Sequence, residues 1–474
     1  MDDDLAFAPA LTLREKIAAK EVSPVEVTEM YLSRIERLDG RLNSYLTLVH
    51  DEAMAAAKVA EEAVMHDDAL GPLHGVPISL KDMQMTRGIR TTQGCAVYGD
   101  RVPTADSAVA ERVRRSGAII LGKTNTPEFG MLGATENRLG DECRNPWDTE
   151  RTPGGSSGGA ASALAAGLCP LATGGDGGGS IRIPASFCGV YGIKPTQGRV
   201  SSYTGTLASA TNLTSQQGPM SRTVRDSALL LQVLAGHDAR DPGSLRDAPD
   251  DYLAAADRGV SGLRVAWSPD FGYASVDPEV AEVAAGAVAV FEELGCSVDE
   301  SDLALESPLD TWWTIFCTNS YASYGHLLDD HADELTWYGR MCIESGRDVT
   351  GVGYAKALGQ RDRMRTQMAD VFEKADLLVS PTMPVTAFPV QRYPETIGGR
   401  KASPSPAWGF IPFTHPINTV GYTAASVPCG FSSDGMPIGL HIVGREGDES
   451  TVIAASAAFE AARPWADARP PVSY

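Results

Sequence analysis

Ser156 and Ser180 are the residues whose setting first suggests chemistry. Ser156 lies in Thr152-Pro153-Gly154-Gly155-Ser156-Ser157-Gly158-Gly159, and Ser180 in Gly174-Gly175-Asp176-Gly177-Gly178-Gly179-Ser180-Ile181-Arg182. They are 24 residues apart, joined by an Ala-rich helical pattern and the short apolar run Cys169 to Ala172. Two loops of small residues, each carrying a hydroxyl, therefore emerge side by side. Gly177, Gly178 and Gly179 leave backbone N–H groups uncovered by side chains, as stabilisation of a developing alkoxide requires. A serine nucleophile needs a base. Lys81, which closes the apolar run Gly75 to Leu80, is the candidate, because burial lowers the pKa of a lysine far enough for it to accept a proton. A surface linker is the plain alternative for a Gly/Ser-rich stretch. Here Ile181, Ile183, Phe187, Val190 and Tyr191 continue directly into apolar sequence, and linkers do not do that.

Two other motifs compete for attention. Gly117 to Thr124 matches the phosphate-loop pattern G-x-x-x-x-G-K-[ST] letter for letter. Its middle positions are Ala-Ile-Ile-Leu, which read as a strand and not as an open backbone cradle, and Asn125-Thr126-Pro127 follow where a helix should already be running. The match is accidental. Gly154 to Gly158 also satisfies G-x-S-x-G, the nucleophile elbow of α/β-hydrolases, which would make Ser156 the nucleophile and demand a downstream acid and histidine. His415 and His441 stand downstream. His326 and His331 are five residues apart and fall on different helix faces, so no metal site is expected.

The surrounding sequence indicates which elements hold these residues. Ser23-Pro24 with Glu26 forms a capping box, and Val27, Tyr31, Ile35 and Leu38 recur at helical spacing behind it. A second helix is predicted from Asp51 to Met65. Short apolar runs then alternate with helical patterns: a strand at Val76 to Leu80, a helix at Ala108 to Arg115, a strand at Ala118 to Leu121. The stretch 240–370 is mostly helical in pattern and carries Trp312, Trp313 and Phe316. Leu377 to Val379 returns to strand, and Ser426 to Phe431 with Gly439 to Val443 forms a hairpin through an Asp-Gly turn. The expectation is an α/β fold with a large mixed, mostly parallel central sheet covered by helices on both faces.

Composition narrows the function. The chain has 474 residues and a formal charge of −21, a surface that repels phosphate and so excludes nucleic acid and anionic membranes as principal partners. The eight cysteines are scattered and suit reduced thiols rather than a disulfide framework. An acidic N-terminus and the lack of a long apolar run point to a cytoplasmic protein.

The stretch Arg151 to Thr196, with R-T-P-G-G-S-S-G-G and G-G-S-I-R-I-P-A-S-F-C-G-V-Y-G-I-K-P-T, closely resembles the amidase signature family. G-V-P-I-S-L-K-D (Gly75 to Asp82), L-G-K-T-N-T-P-E-F (Leu121 to Phe129), N-P-W (Asn145 to Trp147) and D-G-M-P-I-G-L-H-I-V-G (Asp434 to Gly444) occur in family order. The resemblance implies one signature domain over 23–450, with a core at about 71–235, a variable helical insertion at about 240–370 and closing strands at about 376–444. Residues 1–22 and 451–474 would pack on it as extensions. It implies a Ser–cis-Ser–Lys triad in which Lys81 is the base, Ser156 the bridging serine after a cis Gly155–Ser156 peptide, and Ser180 the nucleophile. Gly177, Gly178 and Gly179 would form the oxyanion hole, with Asp176 and Arg182 supporting the nucleophile.

The resemblance further implies hydrolysis of the C–N bond of amides without metal or cofactor. Aryl or apolar amides are the expected substrates, with esters and carbamates beside them, and the enzyme is expected to be a monomer or homodimer. The catalytic subunit of glutamine-dependent tRNA amidotransferase shares the same triad and is the alternative. Phe129, Gly130, Met131, Trp312, Trp313 and Phe316 are candidates for the acyl pocket, although a core-packing helix accounts for the last three equally well. Where the family commonly has G-T-D-T-G-G-S, this chain has Gly175 and Gly177 in place of the two threonines, which is expected to open the oxyanion loop.

Overall fold

The computed structural model describes residues 3–206, 212–306, 308–402, 405 and 407–473. Near the N-terminus, Ser23 Oγ accepts from Glu26 N–H (3.1 Å) while the Glu26 carboxylate accepts from Ser23 N–H (2.8 Å). This completed capping box starts the helix Pro24–Leu38, whose Val27, Tyr31, Ile35 and Leu38 are buried as their spacing predicts. His50–Met65 and Ala108–Arg115 are the next expected helices.

Among the described residues, eleven strands form one sheet. In spatial order they are Tyr45–Leu48, Ile119–Thr124, Pro77–Lys81, Leu171–Asp176, Gln216–Ser221, Tyr191–Lys194, Ala424–Phe431, Pro437–Val443, Leu377–Pro381, Arg264–Trp267 and Ser297–Glu300. Every residue of Pro77–Lys81 and Ile119–Thr124 is buried, so helices cover both faces there, and this explains the unbroken apolar runs. The mixed sheet flanked by helices is the architecture the sequence indicates, but its pairing is more antiparallel than expected. Six of its ten strand pairings are antiparallel. Parallel pairing joins Pro77–Lys81 to its two neighbours and Arg264–Trp267 to its two. Between these groups, the hairpin Ala424–Phe431/Pro437–Val443 and the strands beside it run antiparallel. The hairpin turns at Gly435, whose φ of +80° a side chain would strain.

The stretch expected to be a helical insertion also supplies the strand Arg264–Trp267 and, outside it, the edge strand Ser297–Glu300. Ser297–Glu300 is largely exposed and gives no alternating apolar signal, so periodicity alone does not reveal it. Of the insertion helices, Pro308–Tyr324 and Trp337–Arg347 pack with the loop 129–134 and with residues of 383–402 and 407–411 into a second, aromatic-rich core beside the sheet. This second core walls one side of the site.

Candidate active site

Lys81 ends the central strand Pro77–Lys81, and Leu171–Asp176 runs parallel beside it, so both chains leave the sheet at the same edge. Ligand sites in α/β sheets form at such carboxyl ends. The loop after Asp176 carries Ser180 into the helix Arg182–Cys188, and Ser156-Ser157 lead into the buried helix Gly158–Ala165. Ser157 N–H donates to Ser180 O at 3.0 Å, which locks the two serine loops together. The Gly155–Ser156 peptide is cis.

The Lys81 side chain is 1% exposed, and its Nζ lies 2.7 Å from Ser156 Oγ, 3.0 Å from Ser157 Oγ and 3.0 Å from Gly175 O. Three acceptors match the three hydrogens of an ammonium. Burial pulls the Lys81 pKa down to about 7, against the opposing field of the Asp176 carboxylate. Thr173 Oγ1 accepts from the Lys81 backbone N–H (3.1 Å) and fixes the end of the strand.

Asp176 and Arg182 are fully buried partners. Arg182 donates to both Asp176 oxygens (2.9 Å each), to Asn418 Oδ1 (2.6 Å) and to Thr414 O (3.1 Å). Burial alone would raise the Asp176 pKa, but the Arg182 guanidinium overcomes it and holds the carboxyl well below the ordinary range. Asp176 in turn accepts from Gly179 N–H (2.7 Å) and Ile181 N–H (3.1 Å), so it shapes the turn that presents Ser180. Gly179 therefore departs from its expected place in an oxyanion hole, because its N–H is committed to Asp176. The N–H groups of Gly177, Gly178 and Ser180 have no acceptor among the described residues.

A cleft of about 230 Å³ opens over Lys81, Ser156 and Gly175 to Gly177. Met83, Phe129, Met131, Phe316 and Tyr324 give it an apolar side, and Ser202, Asn212, Ser215, Gln217 and Asn319 a polar one. Phe129 stacks on Tyr324 with ring centres 3.9 Å apart, and Gly130 faces Ser156 so closely that an added Cβ would stand 3.1 Å from Ser156 Oγ. Lys81 and Asp176 are the only charged side chains among the described residues that line this cleft.

Of the aromatic candidates, only Phe129 and Phe316 reach the cleft. Trp312, 3% exposed, lies behind the glycine loop, where its Nε1–H donates to Gly177 O (2.7 Å). Trp313 packs edge-on against Trp408 in the aromatic core. A helix presents residues three or four apart on one face, so Trp312 and Phe316 share a side while Trp313 turns away. Gly175 and Gly177 do not open the loop either. A Cβ on Gly175 would stand 2.7 Å from Gln217 Oε1, and one on Gly177 2.7 Å from Ser215 Oγ, so these polar side chains take up the room beside both glycines.

The competing motifs resolve structurally. Lys123 of the phosphate-loop match is fully buried, donating to Gln84 O (2.5 Å) and Thr91 Oγ1 (2.8 Å) with Asp82 at 3.7 Å. For the elbow reading, His441 faces Arg182 (3.0 Å) and His415 packs against Trp312, so neither ring serves Ser156. Sequence reasoning missed Ser157, although it sits inside the motif it singled out. It also missed Thr414 and Asn418, which reach the loop from more than 230 residues away and leave no local signal.

The Amidase family pattern matches residues 26–453. The chain is 37% identical over 472 residues to an acylamidase of Rhodococcus erythropolis, covering 99% of this chain and 98% of that one. It is 38% identical over 492 residues to a subunit of the glutamyl-tRNA(Gln) amidotransferase of Moorella thermoacetica, with 98% and 99% covered. The crystal structure of a bacterial aryl acylamidase of the amidase signature enzymes superposes with a TM-score of 0.91 at 32% identity, covering 97% of each chain. With the Ser-Ser-Lys side chains that characterise these enzymes at the carboxyl edge of the same sheet, the chain belongs to the amidase signature family.

Proposed function

We propose that this protein is a free-standing amidase that hydrolyses the C–N bond of uncharged aryl or apolar amides through an acyl-enzyme on Ser180, with esters and carbamates as further substrates. The observation that carries this reading is the cleft's charge inventory. Its two charged side chains are both engaged internally, Lys81 by two serines and a carbonyl, Asp176 by Arg182 and Asn418. Neither an ammonium nor a carboxylate of a bound amino acid meets a free countercharge there, and burying an unpaired charge is costly. An aryl or alkyl acyl group instead finds Phe129, Met131 and Phe316. The similarity to an acylamidase and to an aryl acylamidase supports the same substrate class.

In the neutral state Lys81 has two hydrogens and one lone pair. The hydrogens suit Ser157 Oγ and Gly175 O, and the lone pair suits the Ser156 hydroxyl. Ser156 then passes its proton to Lys81 and takes the Ser180 proton as Ser180 Oγ bonds to the carbonyl carbon. The carbonyl oxygen becomes an oxyanion, held by the free N–H groups of Gly177, Gly178 and Ser180, each worth ~10²–10³ in rate. Lys81 returns the proton through Ser156 to the leaving nitrogen, the C–N bond breaks, and the amine departs. Water repeats the sequence on the ester and releases the carboxylic acid.

The second reading, a component of a tRNA amidotransferase, draws on the similarity to the Moorella thermoacetica protein. Turnover by the purified single chain separates the two. The proposal expects kcat/KM for 4-nitroacetanilide and a 4-nitrophenyl carbamate to exceed that for glutamine. A preference for glutamine, or activity gained only with a partner protein, overturns it.

A further inference from the structure

We infer that Trp312 is a positioning residue that aims the Gly178 N–H at the oxyanion, an assignment that rests on the acyl-transfer reading above. In a trans peptide the C=O of one residue and the N–H of the next point in opposite directions. Each plane of the glycine loop is held from its carbonyl side by a separate donor. Trp312 Nε1–H binds Gly177 O (2.7 Å), Thr414 Oγ1 binds Gly178 O (2.7 Å), and Ile183 N–H binds Gly179 O (2.7 Å). The matching N–H groups belong to Gly178, Gly179 and Ser180. Gly179 N–H meets Asp176, while those of Gly178 and Ser180 meet no described acceptor. Trp312 thus fixes one of the two free donors that these planes leave beside the nucleophile.

The indole is itself buried between other rings. It stacks on Phe316 with ring centres 4.7 Å apart at 17°, and His415 packs on it at 5.7 Å. A Cβ on Gly178 would stand 2.6 Å from the indole ring, so only glycine lets the loop lie flat on it. A donor on Gly177 O also draws electron density through the amide and makes the Gly178 N–H a stronger donor. The insertion helix Pro308–Tyr324 thereby contributes to the reaction through one residue and to the acyl pocket through another, Phe316, one turn away.

Trp312→Phe tests this, since it keeps a ring against Gly178 and removes the N–H. With 4-nitroacetanilide as substrate, kcat is expected to fall about 10- to 100-fold, less than outright loss of an oxyanion donor, while KM stays within about twofold. The Ki of phenylboronic acid, whose tetrahedral serine adduct places an oxygen where the oxyanion forms, rises by the same factor. Trp465→Phe removes an equivalent indole-to-carbonyl bond (Nε1 to Arg222 O, 2.8 Å) away from the cleft and leaves kcat unchanged. Should Trp312→Phe fold poorly, 3-benzothienylalanine at position 312 keeps the indole's shape without its N–H and gives the same loss. Unchanged kcat and boronate affinity in the folded variant, or a rise in KM alone, overturns the assignment. Full turnover by Ser180→Ala overturns instead the acyl-transfer reading on which it rests.

Discussion

Lys81 Nζ lies 2.7 Å from Ser156 Oγ, and among the described residues no carboxylate or imidazole is hydrogen-bonded to either atom. The proposed proton relay of an amine and a hydroxyl would have a different pH response from a histidine triad, and its two serines would have unequal duties. Both consequences are measurable.

Ser180→Ala is expected to lower kcat at least about 10⁴-fold, because on the proposed mechanism it removes the hydroxyl that attacks the carbonyl. Ser156→Ala removes the relay but leaves the nucleophile, so a loss of about 10²–10³-fold is expected. Labelling with a fluorophosphonate, followed by mapping of the modified peptide, identifies the nucleophile independently. Label on Ser156 would reverse the two roles.

The Lys81 pKa of about 7 sets a pH window for rate and another for stability. On the proposed mechanism the neutral amine is the base, so kcat/KM is expected to rise through pH 7 and level off in the mildly alkaline range; a profile that peaks at acid pH contradicts the relay. An unfolded lysine titrates near ~10.4, so between about pH 7 and that value the unfolded chain holds a proton the folded one lacks. This group's contribution to folding free energy therefore grows as pH rises across the window. Urea denaturation of the parent and Lys81→Met at pH 7 and pH 9 reads it: the parent gains on the variant at the higher pH. A gap that stays constant contradicts the lowered pKa.

Asp176→Asn leaves the fully buried Arg182 charged, with Thr414 O, Asn418 Oδ1 and His441 as its other side-chain hydrogen-bond partners among the described residues. Removing one member of such a buried pair costs ~3–5 kcal/mol. A urea midpoint unchanged from the parent would show that the pair is not what holds the loop. Because Asp176 also accepts from Gly179 and Ile181, the folded fraction of the variant is expected to lose kcat more than KM.

Much of this site was legible because its chemistry is local in sequence. Lys81 closes a strand whose apolar run is visible, and the two serines stand in glycine contexts that only a close backbone approach explains. What escaped depends on direction and distance. The pattern places Trp312 and Phe316 on one helix face but does not say that the first meets a carbonyl and the second a cleft. Gly175 and Gly177 read as missing side chains, whereas Gln217 and Ser215 from the adjacent antiparallel strand and its lead-in occupy the space beside them. That strand pairing is also where the sheet departs from its predicted parallel character. It is a long-range fact with no signature in the local run of residues.

On the proposed reading, the two-sided cleft sets which acyl groups are preferred. A purely apolar pocket would rank acyl groups by size alone, at about 1–3 kcal/mol per methylene. Here the apolar side of Phe129, Met131 and Phe316 faces a polar side that includes Gln217 and Asn319, and the Asn319 amide nitrogen has no hydrogen-bond partner among the described residues. An acyl chain carrying one neutral acceptor is therefore expected to be a better substrate than its isosteric hydrocarbon. Methoxyacetyl against butyryl 4-nitroanilide makes the comparison at nearly constant volume, with an expected preference of about 2- to 13-fold in kcat/KM, the range of a single neutral hydrogen bond. Asn319→Leu should erase that preference while leaving butyryl turnover close to the parent's. Phe316→Ala should weaken both substrates together, chiefly through KM, because it strips a shared wall. Equal kcat/KM for the two anilides in the parent enzyme would mean that the polar side never meets the acyl group, and the acyl chain would then have to lie wholly along Phe129, Met131 and Phe316.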